Sequence, residues 1–282
     1  RTAFLEVLAA RERLALQQDA EIIAAELAGI TRERVAAGEL PVTEEIRAEA
    51  RRAATAAETQ KCRRLLLDAE LALVAVLGEP DRTAVTVADE MPREVSIPDR
   101  QELLAGMQDS PLLALRRSER ELASAGLAVE QAGAWADPSL SLALREAPDK
   151  DGRALTVGVS IPLPLFQRNQ AALAEAGASA RKAAVNEEAA VRLLRTELLK
   201  THALLVAADQ ESRTLRNEVL SRASEAAESL REGFRAGKFR YSDVLESSQT
   251  LVAMKERHLD VLITLNRAAI ALDRLLGRPA FP

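Results

Sequence analysis

The sequence has 282 residues and a formal net charge of −5. Aromatic residues make up 2% of it and charged residues 29%, a composition typical of long helices and coiled coils. Acidic and basic residues are interspersed, which gives no indication of nucleic-acid binding. No apolar run is long enough for a transmembrane helix, and no signal peptide is recognisable. The chain starts at Arg1 inside a helical pattern and without Met, so we expect residues upstream of it.

Two short stretches, 32–44 and 231–243, each combine a helix stop with a helix start. Gly38 and Gly237 are placed to end a helix in the left-handed conformation. Behind each glycine, a hydroxyl residue and an acid suit the first turn of the next helix; these pairs are Thr43 with Glu44 and Ser242 with Asp243. Each stretch is therefore predicted to be the tip of a helical hairpin.

The two tips belong to an internal duplication with an offset of 199 residues. Leu-Gly-Glu-Pro at 77–80 matches Leu-Gly-Arg-Pro at 276–279, and selected positions between, such as Ala72-Leu73 and Ala271-Leu272, match at the same offset with no gap needed. Both copies carry the same helix-ending residues at the tip and at the end of the returning helix. This agreement indicates a true repeat rather than chance similarity between Ala-rich helices. The same offset predicts a second copy of the 137–163 segment upstream of Arg1.

The only strong strand signal lies between two helical regions. Leu140, Leu142 and Leu144 alternate with small or polar residues, a polar turn follows, and Leu155, Val157, Val159 and Ile161 then alternate in the same way. This pattern predicts a β-hairpin with one apolar face. Each strand is about as long as a tilted membrane-barrel strand, roughly 9 to 11 residues, although a soluble hairpin packed on helices would show the same pattern.

Taken in order, the predicted fold is mainly α, with long antiparallel helical hairpins and one β-hairpin. Asp99 and Ser110 are the expected caps of two shorter helices, the second beginning at Pro111. A short strand is expected near Val85 and Val87. The predicted divisions are a first helical hairpin at 1–78 with its tip at 37–43, a linker at 79–98, helices at 99–133, the β-hairpin at 134–165, a second helical hairpin at 166–277 with its tip at 236–242, and a tail at 278–282.

Several motifs resemble the TolC-type outer-membrane efflux protein family. Ala-Asp-Pro-Ser-Leu at 136–140 resembles the start of the family's barrel hairpin, and Val-Ser-Ile-Pro-Leu-Pro-Leu-Phe at 159–166 resembles its end. The stretch 235–246 resembles the family's tip, and Leu-Leu-Gly at 275–277 its closing motif. The form of residues 162–170 is most similar to the CzcC-like heavy-metal branch. The resemblance covers nearly the whole chain, with the family's N-terminal part absent.

The resemblance implies a homotrimer in the cell outer membrane. Each protomer would contribute strands in contact with outer-membrane lipid to one shared barrel, and long helices to a tunnel in the periplasm. The implied partners are a periplasmic adaptor (membrane fusion) protein and an inner-membrane proton-driven transporter. The implied function is that of a passive duct in a tripartite pump, most similar to those that export heavy-metal cations, with no enzymatic activity, cofactor or resident metal.

The resemblance also suggests roles for residues at the tips. Asp243 and Glu246 share a helix face and match acids near the periplasmic entrance of related channels, as Glu44 does at the first tip. Helix N-terminal acids stabilised by the dipole are the alternative for all three, and the favoured one for Glu44. Phe234 and Phe239 stand where some members carry a tethering Tyr and Arg. The expected adaptor-docking residues are Gly38, Leu40, Gly237, Phe239, Arg240 and Tyr241.

Two other classes of function are open at this point. A soluble coiled-coil adaptor would bury the apolar face of the β-hairpin under helices, whereas a duct would present it to lipid. Within the duct class, organic compounds or secreted proteins are alternative cargoes to metal ions. An enzyme has little support, because His202 and His258 stand alone and the single cysteine, Cys62, has no ligand or partner at suitable spacing.

Overall fold

The computed structural model describes residues 1–78, 87, 90–133, 137–146, 153–161 and 169–278. Helices dominate it, and the chain divides into two compact units. Arg1–Leu103 and Leu198–Arg274 form most of the first, which we call the tip unit; Leu104–Glu197 forms most of the second, the strand unit. The predicted mainly helical fold with one small antiparallel sheet is confirmed.

Helix positions agree closely with the sequence pattern. The helices, in chain order, are α1 (Thr2–Ala36), α2 (Val42–Leu77), α3 (Arg100–Gly106), α4 (Pro111–Ala132), α5 (Gln170–Thr214), α6 (Leu220–Arg235) and α7 (Tyr241–Leu276). A 3₁₀ turn at Met107–Asp109 extends α3, and a π-helical turn at Leu215–Val219 joins α5 to α6. The expected strand near Val85 and Val87 falls largely outside the described residues.

The spacing of 199 residues recurs in the backbone. The limits of α7 lie 199 positions after those of α2, and the last residue of α6 lies 199 after that of α1. The tips repeat the same bonds, because Gly38 and Gly237 donate to carbonyls three residues back and Glu39 and Lys238 to carbonyls five back. Both glycines have positive φ, 76° and 73°, where a Cβ would be strained.

The sequence was less successful at locating helix caps. Thr43 and Ser242 lie inside their helices, since α2 begins directly after Pro41 and α7 directly after Arg240. Ser110 does precede α4, but its hydroxyl is buried and makes no cap hydrogen bond within the described chain. The predicted cap at Asp99 does form, because its carboxylate accepts the Gln101 N–H at 2.8 Å.

A π-helical turn interrupts the ascending helix of the second predicted helical hairpin, between α5 and α6. Backbone bonding shifts register at Leu215, whose side chain is buried. The corresponding part of α1, 199 residues earlier, is regular α-helix. A π turn inside a helix does not require Pro or Gly, so the residue pattern did not predict this one.

The β-hairpin of the strand unit pairs β1 (Ser139–Glu146) with β2 (Arg153–Ser160) in the register Leu140–Val159, Leu142–Val157 and Leu144–Leu155. These pairs occupy one face, and Ser141–Gly158 and Ala143–Thr156 occupy the other. The apolar side chains of the first face are 62–76% exposed. Among the described residues, no helix has the length and hydropathy needed to cross a membrane.

Candidate functional site at the paired helical tips

Hydrophobic residues of four helices join the two tips inside the tip unit. The buried residues of this cluster are Leu27, Ala28, Ala48, Phe234, Tyr241 and Val244. The ring of Phe234 lies 6.1 Å from that of Tyr241 at an interplanar angle of 54°, a favourable tilted geometry for an aromatic pair. In a chain with so few aromatics, this pair marks the place where α6 and α7 pack on α1 and α2.

Arg34 connects the first tip to the second. Its Nη1 donates to the carbonyl oxygen of Phe234 at 3.0 Å, and its guanidinium carbon lies 4.9 Å from the centroid of the Phe234 ring. Its Nε also donates to Glu39 at 2.9 Å. Only 15% of the Arg34 side chain is exposed, so a cation–π contact and a charge-assisted hydrogen bond act together under partial desolvation.

A second set of ion pairs lies about two helical turns below Arg34. Glu26 of α1 contacts both Arg231 and Arg235 of α6, the first at 3.8 Å. Arg231 also pairs with Glu228 on its own helix. These groups are partly exposed, so each pair contributes little stability alone, but together they fix the register of α6 against α1.

Phe239 and Leu40 cover the turns themselves. The Phe239 ring lies against Gly233 so closely that a Cβ there would be 2.3 Å from a ring carbon, and 43% of Phe239 remains exposed. Leu40 packs partly buried against the cluster at the tips.

Tyr241, expected among the docking residues, is only 3% exposed, and burial raises the pKa of its hydroxyl. Its side chain therefore supports the tip from within.

The candidate entrance acids occupy two separate places. Asp243 and Glu246 line one shallow groove between α6 and α7, together with Leu230 and Thr250, and share a helix face as their spacing predicted. Asp243 also accepts the Arg240 N–H at 3.3 Å and the Ser242 hydroxyl at 3.1 Å, which is how an acid caps a helix. Glu246 is exposed.

Glu44 of the first tip is engaged on its own helix. It pairs with Arg47 at 3.0 Å, one helical turn along α2. The structure therefore places Glu44 in the surroundings expected of a helix N-terminal acid. Of the three acids, only Asp243 and Glu246 share a surface.

The two histidines have ordinary structural partners. His202 Nε2 lies 3.1 Å from the Pro98 carbonyl oxygen, and His258 Nε2 lies 3.2 Å from the Ser212 hydroxyl. Burial, followed by the charges of Arg93 and Arg216, lowers the pKa of His258. Within the described ranges no three His, Cys, Asp or Glu residues cluster as metal ligands.

Sequence reasoning missed Arg34 and Glu26, which connect residues about 200 positions apart. One signal was available for Arg34. At the repeat-equivalent position the second tip has Gly233, so the two copies differ here, with a large cation in one and Gly in the other. The partner of that cation could not be predicted, because the residue pattern does not say which faces of the hairpins meet.

The model of the outer membrane efflux protein family matches residues 110–278. The chain belongs to this family. It is also 33% identical over 277 residues to the cobalt-zinc-cadmium resistance protein CzcC of Cupriavidus metallidurans, covering 98% of this chain and 66% of that protein. The family resemblance predicted from the motifs is thereby confirmed.

Solved structures of outer-membrane proteins share the fold. VceC of Vibrio cholerae superposes with a TM-score of 0.81 at 21% identity, over 98% of this chain and 68% of that one. CusC superposes with a TM-score of 0.78 at 18% identity, over 99% and 67%. The chain thus spans about two thirds of the length of these relatives. The family is one of outer-membrane efflux channels and not of enzymes, as predicted, and it assigns this chain to the outer membrane.

Proposed function

We propose that the protein is the outer-membrane exit duct of a tripartite efflux pump and that it exports heavy-metal cations. In this proposal it is a passive homotrimer, which docks through its helical tips to a periplasmic adaptor connected to an inner-membrane proton-driven transporter. Family membership supports the duct, and the one-third identity to a cobalt-zinc-cadmium resistance protein supports the metal cargo.

The exposed apolar face of the β-hairpin is the observation that carries the proposal. Leu142 and Val157 pair across the strands with their side chains 71% and 62% exposed, whereas a soluble adaptor would bury this face under helices. Lipid would cover such a face, but a two-stranded hairpin leaves backbone groups unpaired at its edges. Closure therefore requires further strands, from the expected upstream hairpin and from other subunits.

The acids of the second tip suit the entrance of such a duct. Threefold symmetry would convert Asp243 and Glu246 into a ring of six carboxylates, which favours cations and resists anions. Asp243 would serve both as a cap and as a ring member, since its bonds to Arg240 and Ser242 leave it partly exposed. Glu44 stays a candidate for the same entrance, although its pairing with Arg47 favours the capping role.

Adaptor docking is assigned to the exposed parts of both tips. Gly38, Gly237 and Arg240 are exposed, and Phe239 presents part of its ring beside them. An apolar ring next to bare backbone offers a partner both contact area and hydrogen-bonding groups. Leu40 and Tyr241 would act indirectly, by holding these turns in shape.

Site-specific labelling tests the lipid-facing hairpin. An environment-sensitive NBD fluorophore would be attached at Leu142→Cys or at the neighbouring Ser141→Cys, each in full-length Cys62→Ser protein reconstituted in liposomes. We expect lipid-borne nitroxide to quench the label at 142 and aqueous iodide to quench the label at 141, because adjacent strand residues face opposite sides. Equal iodide quenching at both positions would contradict a membrane location.

A further inference from the structure

A cavity of about 220 Å³ lies inside the tip unit, below the cluster at the tips. All four helices of the two hairpins contribute to it, for example through Leu27 of α1, Thr55 of α2, Ala227 of α6 and Leu251 of α7. These four side chains are buried, and the wall is mixed, with apolar side chains such as Ile23 and Val252 beside hydroxyl and charged groups. A cavity of about 150 Å³ with apolar walls suffices for benzene, so this one has room for a bicyclic ring system.

Hydrogen-bond donors without partners converge on the same space. Tyr241 lines the cavity, is 97% buried, and makes no side-chain hydrogen bond with any described residue. Arg231 lines it too, and its buried Nε likewise has no partner in the described part of the chain. Buried donors are normally satisfied, so the Arg231 Nε indicates an acceptor that belongs to no described residue. The Tyr241 hydroxyl, which lines the cavity without being sealed from solvent, is a second donor available to that acceptor.

The charges around the cavity are arranged with cations inside and anions outside. Arg51, Arg231 and Lys255 are half-buried lining residues, whereas Asp19 and Glu228 line it from exposed positions. Glu228 is already paired with Arg231, while Arg51 and Lys255 form no ion pair with other described residues. Burial raises the pKa of Tyr241, and of the charges around it Arg51 lowers that pKa while Glu44 raises it. Arg51 and Tyr241 line the same cavity, and a guanidinium with a phenol hydroxyl suits one anionic head group.

We propose that this cavity binds a small amphipathic anion: a carboxylate or sulfonate head held by Arg51 and Tyr241, with a flat apolar body of about ten carbon atoms against Leu27 and Leu251. Because α1, α2, α6 and α7 all line the cavity, the bound anion contacts both hairpins and stabilises their packing. The inference needs only the tip unit and is independent of channel activity.

The probe is 2-naphthoate, titrated by its fluorescence into the full-length protein in nanodiscs. We expect saturable binding of one molecule per protomer and a higher melting temperature of the protein. The neutral isostere 2-naphthalenemethanol should bind at least tenfold more weakly, since it lacks the charge that Arg51 recognises. Titration of empty nanodiscs accounts for partition into lipid.

Matched substitutions locate the binding. Arg51→Gln and Tyr241→Phe should each weaken 2-naphthoate at least fivefold, whereas Arg52→Gln, at an exposed neighbour paired with Glu49, should leave its affinity unchanged. Ala24→Phe, which projects into the cavity, should abolish binding. The proposal is overturned if 2-naphthoate does not saturate, or if Arg51→Gln binds it as well as Arg52→Gln does; both comparisons hold even if Ala24→Phe fails to fold.

Discussion

Replacing Arg34 by Met should loosen the second tip while leaving the helices intact. The substitution removes the hydrogen bond to the Phe234 carbonyl, worth about 1.5–3 kcal/mol for a charged donor, and a cation–π contact worth about 0.5–1 kcal/mol. The exposed pair with Glu39 contributes little. Met retains most of the apolar packing of the Arg stem. The hydrogen bond and the cation–π contact are made by the same guanidinium, so their energies are not additive, and we expect a net local loss of about 2 kcal/mol.

Amide hydrogen exchange at the second tip measures this loss directly. The Gly237 N–H donates to the same Phe234 carbonyl oxygen that Arg34 binds, and the Lys238 N–H donates to Gly233. A loss of about 2 kcal/mol should speed exchange of both amides roughly 30-fold, because 1.36 kcal/mol is a factor of ten.

Arg47→Met is the matched control for this experiment. Within the described residues Arg47 forms one ion pair, with Glu44 of the same helix, so its replacement should change exchange at Gly237 and Lys238 less than twofold. Unchanged exchange in Arg34→Met, or equal acceleration in both variants, would refute the role given to Arg34.

Further predictions concern residues around the same tip. Gly233→Ala should destabilise the tip by about 1–3 kcal/mol, because its new methyl group collides with the Phe239 ring; Phe239→Ala in the same protein should relieve most of that loss in thermal unfolding. Gly38→Ala places a Cβ at a φ of 76° and should cost about 1 kcal/mol by the same assay, whereas Ala37→Gly beside it should not show this strain. Burial raises the pKa of Tyr241 above 10.0 in the folded protein. The protonated Tyr241 hydroxyl therefore contributes fully to stability below pH 10, and this contribution is lost as the pH rises toward the folded-state pKa, because the unfolded chain loses the proton first. Stability measured against pH should therefore fall less above pH 10 in Tyr241→Phe than in the unsubstituted protein.

The sequence predicted the helix ends and the tip turns well, because these features depend on neighbouring residues only. Gly38 and Gly237 each end a helix by a conformation that other residues rarely adopt, and the duplication gave two independent views of the same turn. The alternation from Leu140 to Leu144 was equally local and was confirmed strand by strand. Helix caps were harder, because several residues near Thr43 could begin the helix and backbone geometry selected Pro41.

The site was less predictable because its contacts are long-range. The spacing of Asp243 and Glu246 placed them on one surface, but nothing in the spacing linked Arg34 to Phe234 or Glu26 to Arg235. The burial of Tyr241 was missed for the same reason. A tyrosine at the start of a helix is expected to be exposed unless the position of the facing hairpin is known. The cavity beneath it also depends on how four helices pack, which composition does not specify.

Single-channel recording of the full-length protein in a planar bilayer tests the central claim most directly. We predict a trimer in detergent and a cation-selective conductance, measured as the reversal potential under a potassium chloride gradient. Asp243→Asn with Glu246→Gln should reduce that selectivity while retaining an acceptor for the Arg240 cap, and Asp68→Asn on α2 should not affect it. A water-soluble monomer or dimer without conductance would contradict the duct, and unchanged selectivity in the double variant would contradict the acidic entrance.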